Sequence, residues 1–388
     1  MAKILQIIPS LDKINGGVER GTLDVAKKLI SSGFESAILS SGGEMAEKYK
    51  YLGVEHYELS LKNKGIFRFF FLKKKFNKLI NKIKPDIIHI RSRWPAFCFN
   101  SIIKQKKIPL VTTFHGTYSG NSFFVKKFYN RSMTAGDRVI TISKFIDDYV
   151  RFNFPNSKTR LKQISRGIDT SYFDLKSVTE KRKENLLSKL LLSENTHVFL
   201  LPARITSWKG HMVALDAAKI ISKKNPKLNF VLLFVGSEDE KKRFLKKLEK
   251  RIYKLGLNNR VIFSGNLNDM PAVYSIADIV LSTSIEPEAF GRISAEASAM
   301  TKPIISSNHG GSREIIENEI TGWLVEPSNP VKLAEKIQEV LDLPQEKKDK
   351  IGMNARRRVR EKFCLNVMLE ETMGVYEYLL STKENLNN

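Results

Sequence analysis

The sequence predicts an α/β protein built from two doubly wound domains, each with a parallel sheet covered by helices. Short apolar runs of four to seven residues alternate with longer stretches of helical periodicity, and this alternation occurs twice along the 388 residues. Continuous apolar runs are typical of strands buried on both faces, as in parallel sheets. A chain of this length suits about two domains. Its hydrophobic content of 42% is sufficient for two cores.

The first half begins with a strand and a helix. The predicted strands cover residues 4–8, 37–39, 87–90, 110–114 and 139–142. Between the first two strands, residues 17–32 place Leu23, Ala26, Leu29 and Ile30 at helical spacing and stop at Gly33, a common helix terminator.

The second half repeats the pattern. The predicted strands cover residues 198–201, 230–235, 261–263, 279–281 and 304–305, with helices at 209–223, 292–300 and 330–341. Strand signals lapse in the polar stretch 167–193, and a last helix at 366–380 has no strand after it. We therefore expect one domain of residues 1–168 with a C-terminal helix of about 365–388, and a second domain of residues 169–364.

The charge is large and uneven. The chain carries 65 Lys and Arg against 41 Asp and Glu, a formal net charge of +24. Residues 1–175 hold 31 basic and 14 acidic residues, giving +17, and the remainder holds 34 and 27, giving +7. Such a field indicates an anionic partner, which charge alone leaves open among nucleic acid, a phosphorylated metabolite and anionic lipid.

Composition also excludes some classes. No apolar run approaches the ~18–20 residues that span a bilayer, and the N-terminus lacks the pattern of a signal peptide. The two cysteines, Cys98 and Cys364, have no metal-ligand spacing, so a disulfide framework or a zinc module is not expected. These features predict a soluble cytosolic chain.

Three motifs lie where strands lead into helices. Gly16 and Gly17 follow the first strand, where glycine permits a close approach of backbone to a ligand, although a simple turn explains them equally well. Arg204 and Lys209 follow the first strand of the second half. There the forked guanidinium of the arginine and the ammonium group of the lysine could hold a diphosphate. Two solvated loop cations would be the simpler interpretation.

The third motif is residues 286–296, which lead from a strand into a helix. Glu288 lies before the helix and Glu296 within it, and carboxylates suit sugar hydroxyls because they accept two hydrogen bonds. The free N–H groups around Gly291 suit a phosphate. In isolation, a capping acid and a solvated helix acid would account for this pattern.

Together the motifs resemble the retaining nucleotide-sugar glycosyltransferases of family 4, over nearly the whole chain. The resemblance includes the glycine pair, the Arg-x4-Lys-Gly element, the Glu-x7-Glu signature with Phe-Gly inside it, and the downstream residues 307–314 and 322–325. It implies the GT-B fold, in which two Rossmann-like domains face each other across a cleft. One departure is Thr301, where the family often has glycine.

The resemblance implies roles for individual residues. Arg204 and Lys209 would hold the donor diphosphate, Gly16 and Gly17 would approach it from the other domain, and Glu288 would bind hydroxyls of the transferred sugar. Glu296 would bind the ribose. Further phosphate contacts would come from backbone at the motif itself: Phe290, Gly291, Arg292 and Ile293. His115, after the strand at 110–114, would lie near the transferred sugar.

The implied donor is a UDP- or GDP-sugar, with no cofactor and no metal, since no Asp-x-Asp motif is present. The basic turn after the strand at 87–90 suggests an acceptor site for an acidic or phosphorylated group. Its predicted residues are Arg91, Arg93, Tyr118 and Arg131, against the alternative of an ordinary surface loop.

Residues 62–85 hold nine Lys and Arg, five Phe and no acidic residue. The apolar residues recur at spacings of three and four, so this segment predicts a helix that either docks on an anionic membrane or packs on the core with a solvated lysine face. The predicted membrane contacts are Arg68, Phe69, Lys73 and Phe76.

These expectations combine into a retaining hexosyltransferase peripheral to the inner face of the plasma membrane. It would transfer a sugar to a lipid-linked or polysaccharide acceptor in lipopolysaccharide or surface-polysaccharide synthesis. A nucleotide-sugar epimerase or a sugar-phosphate synthase on the same fold is the closer alternative. A nucleic-acid binder fits the charge but leaves Glu288 and Glu296 unexplained. The sequence leaves open the base, sugar, acceptor and oligomeric state.

Overall fold

The computed structural model describes residues 1–12, 17–62, 65–118, 124–237 and 243–387. The chain divides into two units. The first comprises residues 1–165 and 368–388, and the second comprises residues 166–367. Each unit has its own sheet and its own core, and each is described by itself.

The first unit contains a parallel sheet in the order β3-β2-β1-β4-β5-β6-β7. Its strands are β1 (Lys3–Ile7), β2 (Glu35–Ser40), β3 (Glu55–Glu58), β4 (Ile87–Ile90), β5 (Leu110–Phe114), β6 (Arg138–Thr141) and β7 (Leu161–Gln163). Its helices are α1 (Gly17–Ser31), α2 (Glu44–Lys50), α3 (Ile66–Ile83), α4 (Arg93–Gln105), α5 (Phe124–Arg131) and α6 (Lys144–Asn153). The chain order reverses between β1 and β4, which places a topological switch point there.

The core of the first unit lies on both faces of this sheet. All four residues of β4 are buried. On one face Phe76 of α3 is fully buried and stacks on Phe99 of α4 at 3.9 Å between ring centroids. The prediction that Phe76 contacts a membrane is therefore wrong. The apolar stripe of α3, which includes Leu72, Ile80 and Ile83, faces the core because that burial removes the largest apolar area from water.

The second unit contains a parallel sheet in the order β10-β9-β8-β11-β12-β13. Its strands are β8 (His197–Leu201), β9 (Phe230–Phe234), β10 (Val261–Phe263), β11 (Ile279–Ser282), β12 (Ile304–Ser307) and β13 (Trp323–Val325). Its helices are α7 (Glu180–Lys189), α8 (His211–Lys224), α9 (Arg243–Leu255), α10 (Met270–Ser275), α11 (Arg292–Ala299), α12 (Ser312–Ile315), α13 (Pro330–Asp342) and α14 (Gln345–Lys362). Here the order reverses between β8 and β11.

The last helix, α15 (Leu365–Asn387), returns the chain to the first unit. Its Tyr376 is fully buried, and the hydroxyl lies 2.6 Å from Nδ1 of His89 on β4. Lys383 forms an ion pair with Asp86 at 3.4 Å. These contacts explain why the C-terminal helix packs with the N-terminal part of the chain, although Tyr376 and His89 are 287 positions apart in sequence.

The predicted class, two doubly wound parallel sheets, is confirmed. The strands that the sequence did not predict are β3, β7 and β13, which lie at sheet edges. In the described part of the chain no helix is both long enough and apolar enough to cross a membrane.

Candidate functional site

The switch point of the second sheet brings two loops together. β8 and β11 are neighbours in the sheet, with Phe199 opposite Ile279 and Leu200 opposite Val280. The loop after β8 carries Arg204 and Lys209, and the loop after β11 carries Glu288. In open parallel sheets, ligands bind outside the carboxyl ends of the strands at such a point.

Lys209 and Glu288 form an ion pair at the centre of this region. Lys209 Nζ donates a hydrogen bond to Glu288 Oε1 at 2.7 Å, and the two side chains are 12% and 9% exposed. Ser284 Oγ donates to the same carboxylate oxygen. The Lys209 ammonium also lies 4.2 Å from the centroid of the Trp208 ring. The pair therefore presents a fixed positive charge next to a carboxylate that retains acceptor capacity at Oε2.

Gly210 fixes the position of Lys209. It has a φ of +76°, and a Cβ there would lie 1.8 Å from the carbonyl oxygen of Thr283. Thr283 Oγ1 also donates to the carbonyl oxygens of Lys209 and Gly210, at 3.2 Å each. Only glycine permits this approach of the α8 N-terminus to the end of β11. The Lys-Gly sequence thus aims the lysine at the Glu288 loop.

Arg204 differs from Lys209 because its side chain is exposed. No hydrogen bond or ion pair involves this side chain within the residues described. Its guanidinium, three residues after the end of β8, can form a bidentate contact with an anionic ligand.

Glu296 belongs to a second polar cluster. Its Oε2 accepts from the Tyr274 hydroxyl at 2.8 Å and its Oε1 accepts from Arg292 Nε at 2.6 Å, and Glu296 is 6% exposed. Burial, and next the Glu296 charge, raise the pKa of Tyr274 well above its usual value. Each carboxylate oxygen can accept one further hydrogen bond. Arg292 and Tyr274 thus position Glu296, the residue predicted to bind the ribose, and no pattern in the sequence indicated the tyrosine.

The N-terminus of α11 lies between these clusters. Gly291 is its N-cap, with a φ of +87°. The first N–H groups of a helix have no acceptor within the helix itself. Phe290 and Ile293 are 5% and 6% exposed, so their side chains offer no surface to a ligand, and the predicted phosphate contacts of their backbone stay a prediction. An anion at this terminus would be stabilised by the N–H groups and the helix dipole.

Gly310 and Gly311 support this loop from behind. A Cβ on Gly310 would lie 2.5 Å from the Glu288 carbonyl oxygen, and one on Gly311 would lie 2.4 Å from that of Phe290. Gly311 N–H donates to Glu288 O at 2.8 Å. The sequence included both glycines in the resemblance without a role. The structure assigns them to the close packing that holds the Glu288–Phe290 backbone.

The first unit has a corresponding switch point at the ends of β1 and β4. Gly17 is the first residue of α1, whereas Gly16 lies outside the described residues. His115 directly follows β5, next to β4 in the sheet, and is partly buried. A Cβ on Gly116 would meet no atom of the described residues within 4 Å.

Arg91, predicted to bind the acceptor, lies in a buried network instead. It is 6% exposed, its Nε donates to Gln6 Oε1 at 2.9 Å, and Gln6 is fully buried. Neighbouring His89 bonds Tyr376 and Thr113, each at 2.6 Å. Burial, followed by the Arg91 and His115 charges, lowers the pKa of His89 well below its usual value. Arg91 therefore links β4 to β1 and α15, and little of its side chain is exposed to a ligand in solvent.

The other predicted acceptor residues are distributed differently. The Arg93 guanidinium lies 4.3 Å from the Tyr118 ring centroid, and its Nη1 donates to Asn130 Oδ1 at 2.9 Å. Burial raises the pKa of the Tyr118 phenol. Arg131 is exposed. The structure thus brings Arg93 and Tyr118 together, with Asn130 as a contact that the sequence did not suggest.

The predicted membrane residues of α3 lie on two faces. Arg68 Nη2 donates to the Ser60 hydroxyl, and Lys73 Nζ lies 5.2 Å from the Phe69 ring. Phe76 faces the core, as described above. The exposed aromatics of this helix are residues that the sequence did not single out as contacts: Phe67, Phe70 and Phe71, at 90%, 65% and 50% exposure.

Within the ranges that the structure describes, no group of three or more His, Cys, Asp or Glu side chains is arranged to hold a metal ion. The groups at the second switch point are instead suited to a diphosphate and to hydroxyls. Two doubly wound parallel sheets, one of which bears this cationic and carboxylate site, define a protein of the GT-B class.

Comparison with known proteins identifies the family. Residues 15–172 match the model of Glycosyltransferase Family 4, and residues 182–358 match that of Glycosyl transferases group 1. The chain belongs to this family of glycosyltransferases.

Individual relatives agree with this assignment. The crystal structure of a glycosyltransferase from Rickettsia africae is 36% identical, with a TM-score of 0.89 over 98% of each chain. An uncharacterized glycosyltransferase of Methanocaldococcus jannaschii is 27% identical over 94% of this chain and 95% of its own. Anabaena HepE, solved with UDP and glucose, has a TM-score of 0.81 at 22% identity, covering 97% and 100% of the two chains. This last likeness concerns the fold alone.

Proposed function

We propose that this glycosyltransferase transfers a hexose from a UDP- or GDP-sugar, with retention of anomeric configuration and without a metal ion. The observation that carries the proposal is the Lys209–Glu288 ion pair at the carboxyl ends of β8 and β11, together with Arg204, whose side chain has no partner among the described residues. The HepE complex with UDP supports a nucleotide donor on a similar fold.

In this proposal the donor diphosphate lies against Arg204, Lys209 and the N–H groups at the start of α11. Glu288 accepts hydrogen bonds from hydroxyls of the sugar, and Glu296 accepts them from the ribose. Negative charge accumulates on the diphosphate as it leaves, so fixed cations and oriented N–H groups stabilise the transition state more than the ground state. A donor phosphate oxygen takes the proton of the acceptor hydroxyl, and His115 contacts the sugar.

We further propose that the acceptor is a membrane-associated glycan or glycolipid of lipopolysaccharide or surface-polysaccharide synthesis, used at the inner face of the plasma membrane. An aromatic surface supports this proposal. It consists of the exposed rings of α3 and α5: Phe67, Phe70, Phe71, Phe124 and Phe128. Phe97 joins the two helices through ring contacts with Phe69 at 5.5 Å and with Phe128 at 6.1 Å.

The charge around the aromatic surface favours an anionic partner. Residues 62–85 hold no acidic residue, and Lys126 and Lys127 of α5 are exposed. Exposed rings with adjacent lysines can enter the interface of an anionic bilayer, at roughly 1 kcal/mol for each basic residue near the surface.

A thermal-shift screen with UDP-, GDP- and ADP-sugars tests the donor proposal, because a ligand of the native state raises the melting temperature. We expect a UDP- or GDP-sugar to raise it in the wild type and not in Lys209→Met. Proton NMR of the transfer product then reports the anomeric configuration. Interconversion of the donor without an acceptor would identify an epimerase, and inversion at the anomeric carbon would contradict the retaining mechanism.

A further inference from the structure

A cavity of about 240 Å³ lies in the second unit at the amino ends of its strands, whereas the site described above lies at their carboxyl ends. His197 and Ile279, which line it, are the first residues of β8 and β11, whereas Arg204 and Glu288 follow the ends of those strands. Its apolar lining includes Pro303 and Val340. The cavity is smaller than the ~300–1,000 Å³ of typical ligand pockets, which limits its occupant to a compound of about monosaccharide size.

Lys302 is one of the residues that line this cavity. No hydrogen bond or ion pair engages its ammonium group anywhere in the ranges described. The side chain is partly buried, and burial lowers the pKa of Lys302 to about 8. A partly buried ammonium group that forms no hydrogen bond or ion pair with the described residues carries a desolvation cost that an anionic ligand would offset.

Two aspartates and a second lysine also line the cavity. Asp278 accepts from the backbone N–H of Val198 at 2.8 Å, and Asp349 Oδ1 accepts from Gln345 Nε2 at 2.8 Å. Lys348 Nζ donates to the Leu341 carbonyl at 2.8 Å. Each carboxylate keeps free lone pairs, which can accept hydrogen bonds from hydroxyls.

The charge balance restricts the ligand. The charged groups that line the cavity or act on Lys302 from neighbouring elements are Asp278, Asp349, Lys348, Lys183 and, when protonated, His197. Two lysines and two aspartates of the lining cancel, so the cavity has no excess of positive charge for a dianion. One anionic group at Lys302, with hydroxyls at the aspartates, satisfies both sets of groups.

We propose that this cavity is a second binding site, for a small hydroxylated carboxylate such as a sugar acid. Its carboxylate pairs with the Lys302 ammonium, and its hydroxyls donate to Asp278 and Asp349. The start of α14, from which Gln345, Lys348 and Asp349 reach the cavity, adds a helix N-terminus that favours the negative charge. This site is independent of the donor site and of the function proposed above.

Calorimetric titration of the full chain with D-glucuronate tests the proposal. Glucose, which has the hydroxyls without the charge, and acetate, which has the charge without the hydroxyls, are the control ligands. We expect binding of glucuronate at least tenfold tighter than of either control ligand. The affinity should fall about tenfold for each pH unit above 8, where Lys302 loses its proton. Titrations near pH 8 in buffers of different ionisation enthalpy should reveal proton uptake on binding.

The variants Lys302→Met and Lys302→Gln should abolish this binding and the proton uptake, while the matched control Lys347→Met, an exposed position on α14, should retain both. Arg204→Met should also retain binding, which distinguishes the cavity from the donor site. Unchanged binding in Lys302→Met would overturn the proposal. So would acetate binding as tightly as glucuronate, or no binding of glucuronate at millimolar concentration.

Discussion

Lys209 and Glu288 are separated by 79 positions in the chain and joined by one hydrogen bond of 2.7 Å. Lys209→Met removes the fixed cation while keeping the length of the side chain. We expect kcat for sugar transfer to fall about 10²–10³-fold, the usual loss when one group that stabilises transition-state charge is removed. Lys227→Met, an exposed position on the same unit, is the matched control and should keep wild-type kcat. A Lys209→Met enzyme within twofold of wild type would contradict the assigned role.

The same pair predicts a coupled effect on stability. Lys209→Met leaves Glu288 buried next to Ser284 without its cation, at a cost of about 1–3 kcal/mol in the free energy of unfolding. Adding Glu288→Gln removes the uncompensated charge, so the double variant should regain part of that loss. A double-mutant cycle by chemical denaturation measures the coupling. Strict additivity of the two changes would show that the ion pair does not exist in solution.

Gly310 provides a second prediction for a single residue. It has a φ of +57°, and the Cβ of Gly310→Ala would lie 2.5 Å from Glu288 O, a backbone atom that cannot move without shifting the site loop. We expect a loss of about 2–4 kcal/mol in the free energy of unfolding. Gly374→Ala is the control, since Gly374 is exposed in α15 with nothing within 4 Å of a Cβ, and it should gain about 0.5–1 kcal/mol. Similar effects of the two substitutions would refute the packing argument.

At the scale of elements, α3 has a core face and an exposed aromatic face. We expect the triple change Phe67→Ser/Phe70→Ser/Phe71→Ser to lower binding to anionic vesicles at least tenfold, because each buried phenyl ring contributes about 1.5–3 kcal/mol. The melting temperature should hardly change, since these rings are exposed. Phe76→Ala should instead cost about 3–5 kcal/mol of stability, because its ring is fully buried.

Co-sedimentation with neutral and anionic vesicles at two salt concentrations measures this binding. Phe152→Ser is the matched control, since Phe152 on α6 is 86% exposed outside the aromatic surface. Equal, salt-insensitive binding to both kinds of vesicle would rule out the anionic interface that we propose.

The elements also show how far sequence patterns reach. The central strands β4 and β5 were predicted with their observed bounds, because continuous apolar runs identify strands buried on both faces. The edge strand β3 reads Glu-His-Tyr-Glu and has no apolar run, so only pairing with β2 defines it. For α3 the sequence predicted an apolar stripe but left its orientation open, because core packing depends on α4.

At the site, the sequence predicted the ligand types but not their partners. The strand-to-helix position of Arg204, Lys209 and Glu288 could be read from the pattern. Their pairing depends on β8 and β11 becoming neighbours in the sheet, which is a property of topology. For the same reason Arg91 resembled an exposed loop cation, although Gln6 and Tyr376 lie beside it in the folded chain.

At the scale of the whole molecule, each unit buries a histidine with a lowered pKa, which predicts destabilisation by mild acid. His89 is fully buried in the first unit, and burial lowers the pKa of His211 in the second unit to about 4. Below pH 6.5 the unfolded chain binds protons that the folded units exclude. The contribution of these two histidines to stability is therefore fully present above pH 6.5, and it is lost as the pH falls toward their pKa values in the folded protein.

The His211 contribution can be isolated. From pH 6.5 to 4 it amounts to about 3 kcal/mol, at ~1.4 kcal/mol per pH unit. His211 lies edge-on to Phe234 and Phe244, at centroid distances of 4.9 and 6.3 Å, so His211→Phe keeps an aromatic ring next to both of them. We expect the variant to lose less stability than the wild type between pH 6.5 and 5, as measured by urea denaturation at constant ionic strength. If the stabilities of the variant and the wild type changed equally with pH, folding would not lower the pKa of His211, contrary to its burial between β9 and α9.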